Sequence, residues 1–366
     1  MDILDLSITD LSRGGAGVAK STDGRIVFVP FTAPGDRVRA KITETKKNYL
    51  HAELLELIEP SPKRVKPRCP VFQKCGGCQW QHIPYALQWE TKKSGAIHAL
   101  TRVGIQISQS WDEFPAESPW EYRNRIQLRG DGERLGFYAK GSHDVVFIQR
   151  CDIARPELNQ HWPVLKEKGK TFKRPYKVEV EVHKNSVVSA LWNQKHAAGG
   201  FRQVNDEQNQ KLKNWIATHL KTRGVVLDLF GGSGNLSLDL SQSFENVYCV
   251  DTVIGKNNEN DPNNFHHIRQ DTLGWLKSGA ISKAHAAIID PPREGLGPSL
   301  TEIAELLQKL GTTEVIAIGC HVDSWARDLS RWIKKGWNIS ELALFDFFPQ
   351  TPHVEAACRI TRANDS

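Results

Sequence analysis

This sequence has no long apolar run. A stretch of about 18 consecutive apolar residues, which a membrane-spanning helix needs, is found nowhere in its 366 residues. Its first residues, Met1-Asp2-Ile3-Leu4-Asp5, also lack the basic region and the apolar stretch of a secretory signal peptide. We therefore expect a cytoplasmic protein that has no membrane partner.

Internal repeats, low-complexity tracts and a strong excess of one charge are absent as well. The 48 Lys and Arg against 42 Asp and Glu give a formal charge of only +6, and 39% of the residues are hydrophobic. Such a composition excludes a disordered or fibrous protein, and the length favours two or three globular domains. The pattern says nothing about oligomers, so a monomer is the default expectation.

The basic residues that are present gather in two clusters. Four lie between Lys63 and Arg68, and six lie between Lys166 and Lys177. Clusters of this kind suit the phosphate backbone of a nucleic acid, although an ordinary solvated surface explains them equally well.

The N-terminal 59 residues alternate short apolar segments with turn signals such as Asp23-Gly24. Short strands at this spacing predict a small β-barrel. The order of the motifs, from Gly14-Gly15-Ala16-Gly17-Val18 to Val38-Arg39-Ala40-Lys41-Ile42, resembles the TRAM domain, an OB-like RNA-binding module. Barrels of this kind bind nucleic acid through exposed basic and aromatic side chains. The positions that fit this description are Lys46, Lys47 and Tyr49.

The region from 60 to 195 has a mixed pattern. It opens with a Pro-rich, basic linker. A helix-like stretch is predicted from about 84 to 103, and 110 is the outer limit given to this helix. Strands are predicted at 125–129, 144–148 and 177–182. We therefore expect a small α+β domain, whose helix packs on the domain that follows.

Strands and helices alternate from 196 to 366. Apolar segments that end in an acid or a cysteine lie at 224–229, 246–251, 286–290 and 314–320. Uninterrupted apolar strands are typical of a parallel sheet that is covered on both faces. The fold class is therefore α/β, with a Rossmann-like domain whose ligands gather at the carboxyl ends of the strands.

A glycine-rich loop follows the first of these strands. The run from Asp228 to Leu236 lets the backbone pass close to a nucleoside, and Asp251, at the end of the next strand, is placed to bind ribose hydroxyls. A dinucleotide site is the obvious alternative, but the loop lacks Gly-x-Gly-x-x-Gly, and Asp228 before it resembles an S-adenosylmethionine (SAM) methyltransferase. Asp271 is predicted either to reach the adenine or to cap a helix.

The run Asp290-Pro291-Pro292-Arg293 ends the third strand. In amino-methyltransferases a similar run ends in an aromatic residue that stacks on the base while the run grips an exocyclic amine. Arginine occupies that position here, which weakens the amine interpretation.

Cys320 ends the fourth strand, and Glu355 lies near the C-terminus between apolar runs. A thiolate that adds to C6 of uracil makes C5 nucleophilic, after which a base must remove the C5 proton. Burial would raise the pKa of Glu355 toward that of a useful base. We hypothesise that Cys320 is the nucleophile and Glu355 the base; a core cysteine and a paired surface glutamate are the alternatives.

The seven cysteines are an odd number, so they cannot all form disulfides, and in a reducing compartment they are more often ligands, nucleophiles or core residues. Cys69, Cys75 and Cys78 lie close together, and Cys151 lies far downstream. Four thiolates suit structural zinc or a 4Fe-4S cluster. Zinc sites usually come as two Cys-x2-Cys pairs, so the spacing favours the cluster, and its fourth cysteine argues against radical SAM chemistry.

Together these motifs resemble the RNA (uracil-5-)-methyltransferase family, and within it the iron-sulfur, TRAM-bearing branch that acts on 23S rRNA. The matching runs lie at 69–82, 122–125, 135–138, 201–205, 228–236, 290–296, 320 and 353–355. The resemblance implies SAM as the methyl donor, bound by Gln203, Phe230, Gly232, Asp251, Asp271 and Asp290. It implies the roles already given to Cys320 and Glu355. It further implies a 4Fe-4S cluster on Cys69, Cys75, Cys78 and Cys151, and RNA as the partner.

The chain departs from the family pattern at two places. The family usually has Ser-Cys-Asn-Pro where this chain has Gly319-Cys320-His321-Val322, and Gly231 stands where cysteine is frequent. The first departure concerns the base pocket and the exact target, whereas Gly231 is expected to be harmless.

Three rival functions stay open on the sequence. A tRNA uridine methyltransferase would use the same chemistry on another RNA. An RNA-binding or folding factor would have dispensable methyl transfer, and an iron-sulfur redox protein would need a cluster that is reversibly reduced.

Overall fold

The computed structural model describes residues 2–107, 110–194, 202–253 and 261–362. Contacts divide the chain into two compact units. The first comprises Met1–Gly95, Glu117–His196 and Phe348–Pro352, and the second comprises Ala96–Ala116, Ala197–Phe347 and His353–Ser366. None of the helices in the described ranges is long and apolar enough to cross a membrane.

The first unit begins with a six-stranded sheet. Its strands are β1 (Ile3–Ser7), β2 (Asp10–Leu11), β3 (Gly17–Lys20), β4 (Ile26–Val29), β5 (Arg37–Thr45) and β6 (Tyr49–Glu59), in the order β1-β5-β6-β4-β3-β2. Alternate side chains of the strands face inward, and Val27, Val29, Val38 and Leu50 form the centre of the core. The strand-rich N-terminal module is therefore confirmed.

Helix α1 (Tyr85–Arg102) and the short strand β7 (Asp112–Phe114) come next in the chain. The bounds of the helix agree with the predicted stretch at 84–103, whereas the outer limit of 110 is about two turns too long. The helix ends because Gly104 takes a φ of 82° and donates its N–H to the Thr101 carbonyl at 3.0 Å. A glycine in the left-handed region is a common helix terminator.

A five-stranded antiparallel sheet completes the first unit. Its strands are β8 (Arg125–Asp131), β9 (Arg134–Tyr138), β10 (Val145–Phe147), β11 (Tyr176–Val182) and β12 (Val188–Trp192), in the order β10-β9-β8-β11-β12. Between β10 and β11 the chain forms helices α2 (Pro156–Gln160) and α3 (Trp162–Gly169), and a 3-10 turn at Lys184–Ser186 precedes β12. Leu158, Trp162 and Leu165 pack from these helices onto Leu128 and Val178.

An eight-stranded mixed sheet forms the second unit, in the order β15-β14-β13-β16-β17-β19-β18-β7. Its further strands are β13 (Val225–Leu229), β14 (Asn246–Asp251), β15 (Phe265–Arg269), β16 (Ala286–Ile289), β17 (Glu314–Gly319), β18 (Asn338–Phe345) and β19 (Glu355–Thr361). The helices are α4 (Asp206–His219), α5 (Thr272–Lys277), α6 (Leu300–Lys309) and α7 (Val322–Lys334), with 3-10 turns at Leu238–Gln242 and Gly297–Ser299. The strands β13 to β17 run parallel, and β19 runs antiparallel to both β17 and β18.

The α/β prediction for the C-terminal region is confirmed. Each predicted strand lies within two residues of an observed one, and every residue of β16 and β17 is buried, as a continuous apolar run requires. The predicted boundary at 195–196 lies outside the described residues, and the three-domain division stays a prediction.

Candidate active site

The glycine-rich loop follows the carboxyl end of β13 and lies beside the carboxyl end of β14. Gly232 donates its N–H to Asp251 Oδ2 at 3.1 Å, and Val253 donates its N–H to Asp251 Oδ1 at 2.8 Å. These two hydrogen bonds fix the Asp251 carboxylate at the carboxyl end of β14, where the sequence predicted it. The loop can turn here because Gly232 has a φ of 56° and Phe230 a φ of 65°. A phenylalanine in the left-handed region is strained, and such strain is commonly found at ligand-binding loops.

Asp228 is buried beneath this loop. Ser237 donates its hydroxyl to Asp228 Oδ2, whereas Asp228 Oδ1 has no hydrogen-bond partner in the described part of the chain. Burial, opposed by the Ser237 hydrogen bond, raises the pKa of Asp228 to about 6. A side chain at Gly231 would meet both the Asp228 carboxylate at 2.5 Å and Cys249 Sγ at 2.7 Å. Glycine at 231 is thus required by packing in this chain.

Helix α4 is tied to the same loop. Asn209 of α4 and Asn235 of the loop exchange two hydrogen bonds between their side-chain amides, at 3.0 and 2.8 Å. Asn205 caps the helix by accepting from the N–H of Gln208, and Gln203 lies buried just before it. The asparagine pair was not predicted, because two amides on separate elements leave no sequence signal.

Asp271 caps helix α5. Its carboxylate accepts the N–H of Gly274 at 2.8 Å, and the side chain is exposed after β15. The helix cap is one of the two roles that the sequence predicted for Asp271. The contact with adenine stays a prediction.

Asp290, Cys320 and Glu355 meet at one edge of the sheet. Asp290 directly follows β16, Cys320 directly follows β17, and Glu355 is the first residue of β19. Since Gly319 pairs with Ala356, one further step in the antiparallel register places Cys320 opposite Glu355. These three residues lie tens of positions apart in the sequence, and the topology of the sheet brings them together.

The three groups affect one another electrostatically. Burial, and then the charge of Asp290, raises the pKa of Glu355. Burial, and then the charge of Asp228, raises the pKa of Asp290. Burial, followed by the charges of Glu355 and Asp290, raises the pKa of Cys320 to about 12, and the positive charge of Arg293 opposes this rise. The thiol is therefore protonated at neutral pH, and carboxylates with raised pKa values lie beside it.

Helix α7 fixes the loop that follows Asp290. Arg327 Nη2 donates to the Glu294 carbonyl at 2.6 Å, and the Ser324 hydroxyl donates to the Arg293 carbonyl at 2.7 Å. Asp328 accepts the N–H of Leu296 at 2.6 Å, where a side chain at Gly295 would meet the same carboxylate at 2.3 Å. These positioning contacts were not predicted, although the run Ala326-Arg327-Asp328-Leu329 was the available signal.

The structure accounts for the unusual residues around Cys320. A side chain at Gly319 would approach Trp325 Cβ at 2.8 Å, and the Trp325 indole donates to the Ala317 carbonyl at 3.1 Å. His321 caps α7, since its Nδ1 accepts the N–H of Ser324 at 3.4 Å. Trp325 thus fills the space beside Gly319, and His321 takes the capping position in which asparagine is common.

The four cysteines that are predicted to bind an iron-sulfur cluster line one cavity in the first unit. Cys69, Cys75, Cys78 and Cys151 are among the residues that line a cavity of about 190 Å³. Burial raises the pKa of each thiol, to about 12 for Cys78 and about 11 for Cys151. For Cys78 the charges of the other three add to this rise.

This cavity does not contain a ready-made site for one metal ion. Within the described ranges, no three His, Cys, Asp or Glu side chains are grouped so that they could hold an ion. Tetrahedral zinc with Zn–S distances of about 2.3 Å would bring the sulfurs to about 3.8 Å from one another. The four cysteines therefore share a cavity without forming a metal site in the described part of the chain, and the 4Fe-4S cluster stays a prediction.

Fold and site together define a SAM-dependent methyltransferase domain: parallel strands, a glycine-rich loop after the first strand and an acid at the end of the second. The model of the TRAM domain matches residues 2–55, and the model described as tRNA (Uracil-5-)-methyltransferase matches residues 276–363. An uncharacterized RNA methyltransferase of Nitrosomonas europaea is 31% identical over 384 residues, covering 95% of this chain and 94% of that protein. This chain belongs to the RNA (uracil-5-)-methyltransferase family.

Two further relatives extend the comparison. The 23S rRNA (uracil(1939)-C(5))-methyltransferase RlmD of Pectobacterium atrosepticum is 29% identical, with 96% of this chain and 92% of that protein covered. The crystal structure of Pyrococcus abyssi tRNA (uracil-54, C5)-methyltransferase, in complex with S-adenosyl-L-homocysteine, superposes with a TM-score of 0.74 at 21% identity. It covers 98% of this chain and 99% of its own, and it confirms the predicted methyltransferase fold.

Proposed function

We propose that this enzyme methylates C5 of a uridine in 23S rRNA through a covalent adduct between Cys320 and C6 of the base. The carrying observation is the convergence of Cys320, Asp290 and Glu355 at the ends of β17, β16 and β19. A C5 methylation needs a nucleophile, a polar group for the uracil edge and a late base, and these side chains supply one of each.

The reaction begins with attack by Cys320 on C6. Its thiol proton must leave as the sulfur–carbon bond forms, because the pKa of Cys320 is raised to about 12. Asp290, whose pKa is also raised, is the proposed acceptor. Once protonated, Asp290 donates a hydrogen bond to a uracil carbonyl and stabilises the enolate, which leaves Glu355 ionised for the later step.

SAM supplies an electrophilic methyl group, which the C5 carbon of the adduct takes up. Glu355 then removes the C5 proton, the Cys320–C6 bond breaks and the thiolate leaves. A carboxylate whose pKa is raised by burial is a stronger base than one in water, and the burial of Glu355 fits it to this step. The thiol regains a proton at the end, so one proton is released for each methyl group transferred.

SAM binding is assigned to the loop at the ends of β13 and β14. Asp251 binds the ribose, while Phe230 and Gly232 border the nucleoside. Gln203, Asp271 and Asp290 complete the proposed set. The support is the strained loop backbone, the fixed carboxylate of Asp251 and the unpartnered buried Oδ1 of Asp228 beneath the loop.

The cavity in the first unit is assigned to a 4Fe-4S cluster held by Cys69, Cys75, Cys78 and Cys151. Four thiolates buried together repel one another, and the iron charge would remove that penalty. Such a cluster supplies a cross-link between segments that are distant in sequence, and no step of methyl transfer uses it.

The assignment to 23S rRNA rests on relatives of nearly full coverage that carry that substrate in their names. A tRNA uridine is the second candidate, because the matching family model and the superposed crystal structure are named for tRNA. An RNA-binding factor without catalysis is an outcome of the test below.

Covalent trapping tests the mechanism and the substrate together. The protein is incubated with SAM and with 5-fluorouridine-substituted 23S rRNA or tRNA, beside the Cys320→Ala variant, and separated on a denaturing gel. Fluorine does not leave as a proton does, so a methylated covalent complex should accumulate with one RNA and be absent in the variant. Binding of both RNAs without trapping of either would overturn the mechanism and favour the RNA-binding factor.

A further inference from the structure

A second cleft lies in the first unit, apart from the cysteine cavity. It has a volume of about 190 Å³ and is lined by Gly14, Gly15, Ala16, Pro30, Phe31, His51, Gln79 and Lys140. We propose that this cleft holds one unpaired nucleotide of the RNA substrate, distinct from the uridine that is methylated. The proposal rests on the proposed function only in taking RNA as the substrate.

The cleft is built around a strained aromatic residue. Phe31 has a φ of 64°, a region that non-glycine residues rarely enter. Arg64 holds its carbonyl, with Nη2 donating at 3.2 Å, and the Arg64 guanidinium is itself paired with the buried Asp36. The Phe31 ring meets Phe72 edge-on, with the centroids 5.5 Å apart. Strain of this kind persists only where the surroundings fix it, and it is concentrated at binding sites.

Lys140 lines the cleft and has no acidic partner among the described residues. Lys140 Nζ lies 4.9 Å from the centroid of the Phe31 ring, and the described residues provide no ion pair for it. Burial lowers the pKa of Lys140, because desolvation disfavours its charged form. A phosphate group would supply the missing counter-charge, as lysines do throughout nucleic-acid interfaces.

The cleft continues into an aromatic cluster on the N-terminal sheet. His51 lines the cleft and also contacts Phe28 and Tyr49, with ring centroids 5.6 and 5.4 Å away. Tyr49 is 37% exposed at the start of β6. Exposed rings beside a basic side chain are the usual means of stacking single-stranded bases, and unpaired RNA is read in this way.

The polar groups and the size of the cleft fit a base. Gln79 Nε2 donates to the Gly76 carbonyl at 2.9 Å, and the oxygen of the same amide can accept a hydrogen bond from a base edge. Gly14 is exposed, and a side chain there would meet only Ser12 Oγ, at 3.8 Å, so a ligand can approach its backbone. Pockets for larger organic ligands span about 300–1,000 Å³, so a space of about 190 Å³ suits one base.

The test combines a change in the protein with the removal of bases from the RNA. Affinities of the full chain are measured for an oligouridine of about 12 nucleotides and for an abasic oligomer of the same length. His51→Ala should weaken binding of oligouridine about tenfold and leave binding of the abasic oligomer unchanged, because stacking needs a base. Lys140→Ala should weaken both. Lys20→Ala, which removes an exposed lysine outside the cleft, is the charge-matched control and should change both only slightly.

Photocross-linking locates the bound base. An oligomer containing 4-thiouridine should cross-link to peptides that include Phe31 or Gln79, and thermal melting of each variant checks the fold. Equal effects of His51→Ala on both oligomers, or cross-links confined to other peptides, would overturn the proposal. A failure of covalent trapping would leave these binding results unaffected, so the two proposals fail separately.

Discussion

The two groups of thiols to which we assign a function show the same pKa shift for different reasons. Burial raises the pKa of Cys78 in the first unit and of Cys320 in the second, to about 12 in both. The further contribution comes from three other thiols at Cys78, but from the carboxylates of Glu355 and Asp290 at Cys320. The two sites therefore differ in the groups that surround the thiol and not in its pKa.

This difference fits the two roles that we propose. A set of thiols that repel one another only as anions is stabilised by a polynuclear cation, whose charge replaces their protons. A single thiol between carboxylates instead has groups that accept and return protons, as covalent catalysis requires. A buried cysteine is therefore interpreted from the chemistry of its neighbours.

The largest expected effect comes from removing the base beside Cys320. Glu355→Gln should lower turnover by about 10²- to 10⁴-fold, because a general base contributes about that factor. Adduct formation and methyl transfer do not require this base, so a methylated covalent complex should accumulate even with ordinary uridine. Gel shift with methyl-labelled SAM measures it.

The matched control for this change is Glu341→Gln. Glu341 lies on β18 and pairs with Arg359, and its charge acts on Cys358 and not on Cys320. Its loss should leave turnover near that of the parent enzyme. A Glu355→Gln enzyme with normal turnover would remove Glu355 from the mechanism.

The comparison is sharpened next by removing one thiol from each site. Cys78→Ser should abolish the iron content of anaerobically purified protein and lower the free energy of unfolding by about 4 kcal/mol or more, as expected for a lost metal site. Cys320→Ala should keep its full iron content and its stability. Iron analysis and thermal melting measure both, and zinc in place of iron would correct the cluster assignment.

A smaller effect concerns the ionisation of Cys320. Its pKa is raised, so only a small fraction is thiolate below that pKa, and alkylation is slow and speeds up with rising pH. Glu355→Gln removes a negative charge that raises this pKa, so the pKa should fall and alkylation at a fixed pH should become about tenfold faster. Mass spectrometry of the Cys320 peptide measures the rate, and an unchanged rate would show that Glu355 does not act on the thiol.

The sequence alone predicted the parallel strands of the C-terminal region and the strand ends at which the candidate site lies. Continuous apolar runs predicted β13, β14, β16 and β17 because a parallel sheet buries both faces of its central strands. The end of α1 agrees with the predicted stretch at 84–103. The outer limit of 110 was too long, because the apolar pattern continues past Gly104 whereas the helical backbone does not. The topology that sets Glu355 beside Cys320 arises because β19 runs antiparallel between β17 and β18, which no local pattern encodes.

The departures from the family pattern could be seen in the sequence but not explained from it. Gly319 and Trp325 lie six positions apart, and only the turn from β17 into α7 shows that the indole fills the space beside the glycine. Gly231 follows β13 and Cys249 lies on β14, and again only the structure shows that a side chain at 231 would meet Cys249 Sγ. Contacts between elements decide such substitutions, and a sequence pattern records only one partner of each contact.

The smallest expected effect tests the cap next to Cys320. His321→Ala removes the acceptor for the Ser324 N–H and should lower the free energy of unfolding by about 1 kcal/mol. His321→Asn restores a strong capping residue and should lie within about 0.5 kcal/mol of the parent. Denaturant unfolding measures both. Equal losses in the two variants would show that the imidazole, and not the cap, stabilises this junction. Iron content should stay the same in both, since the junction and the cysteine cavity belong to different units.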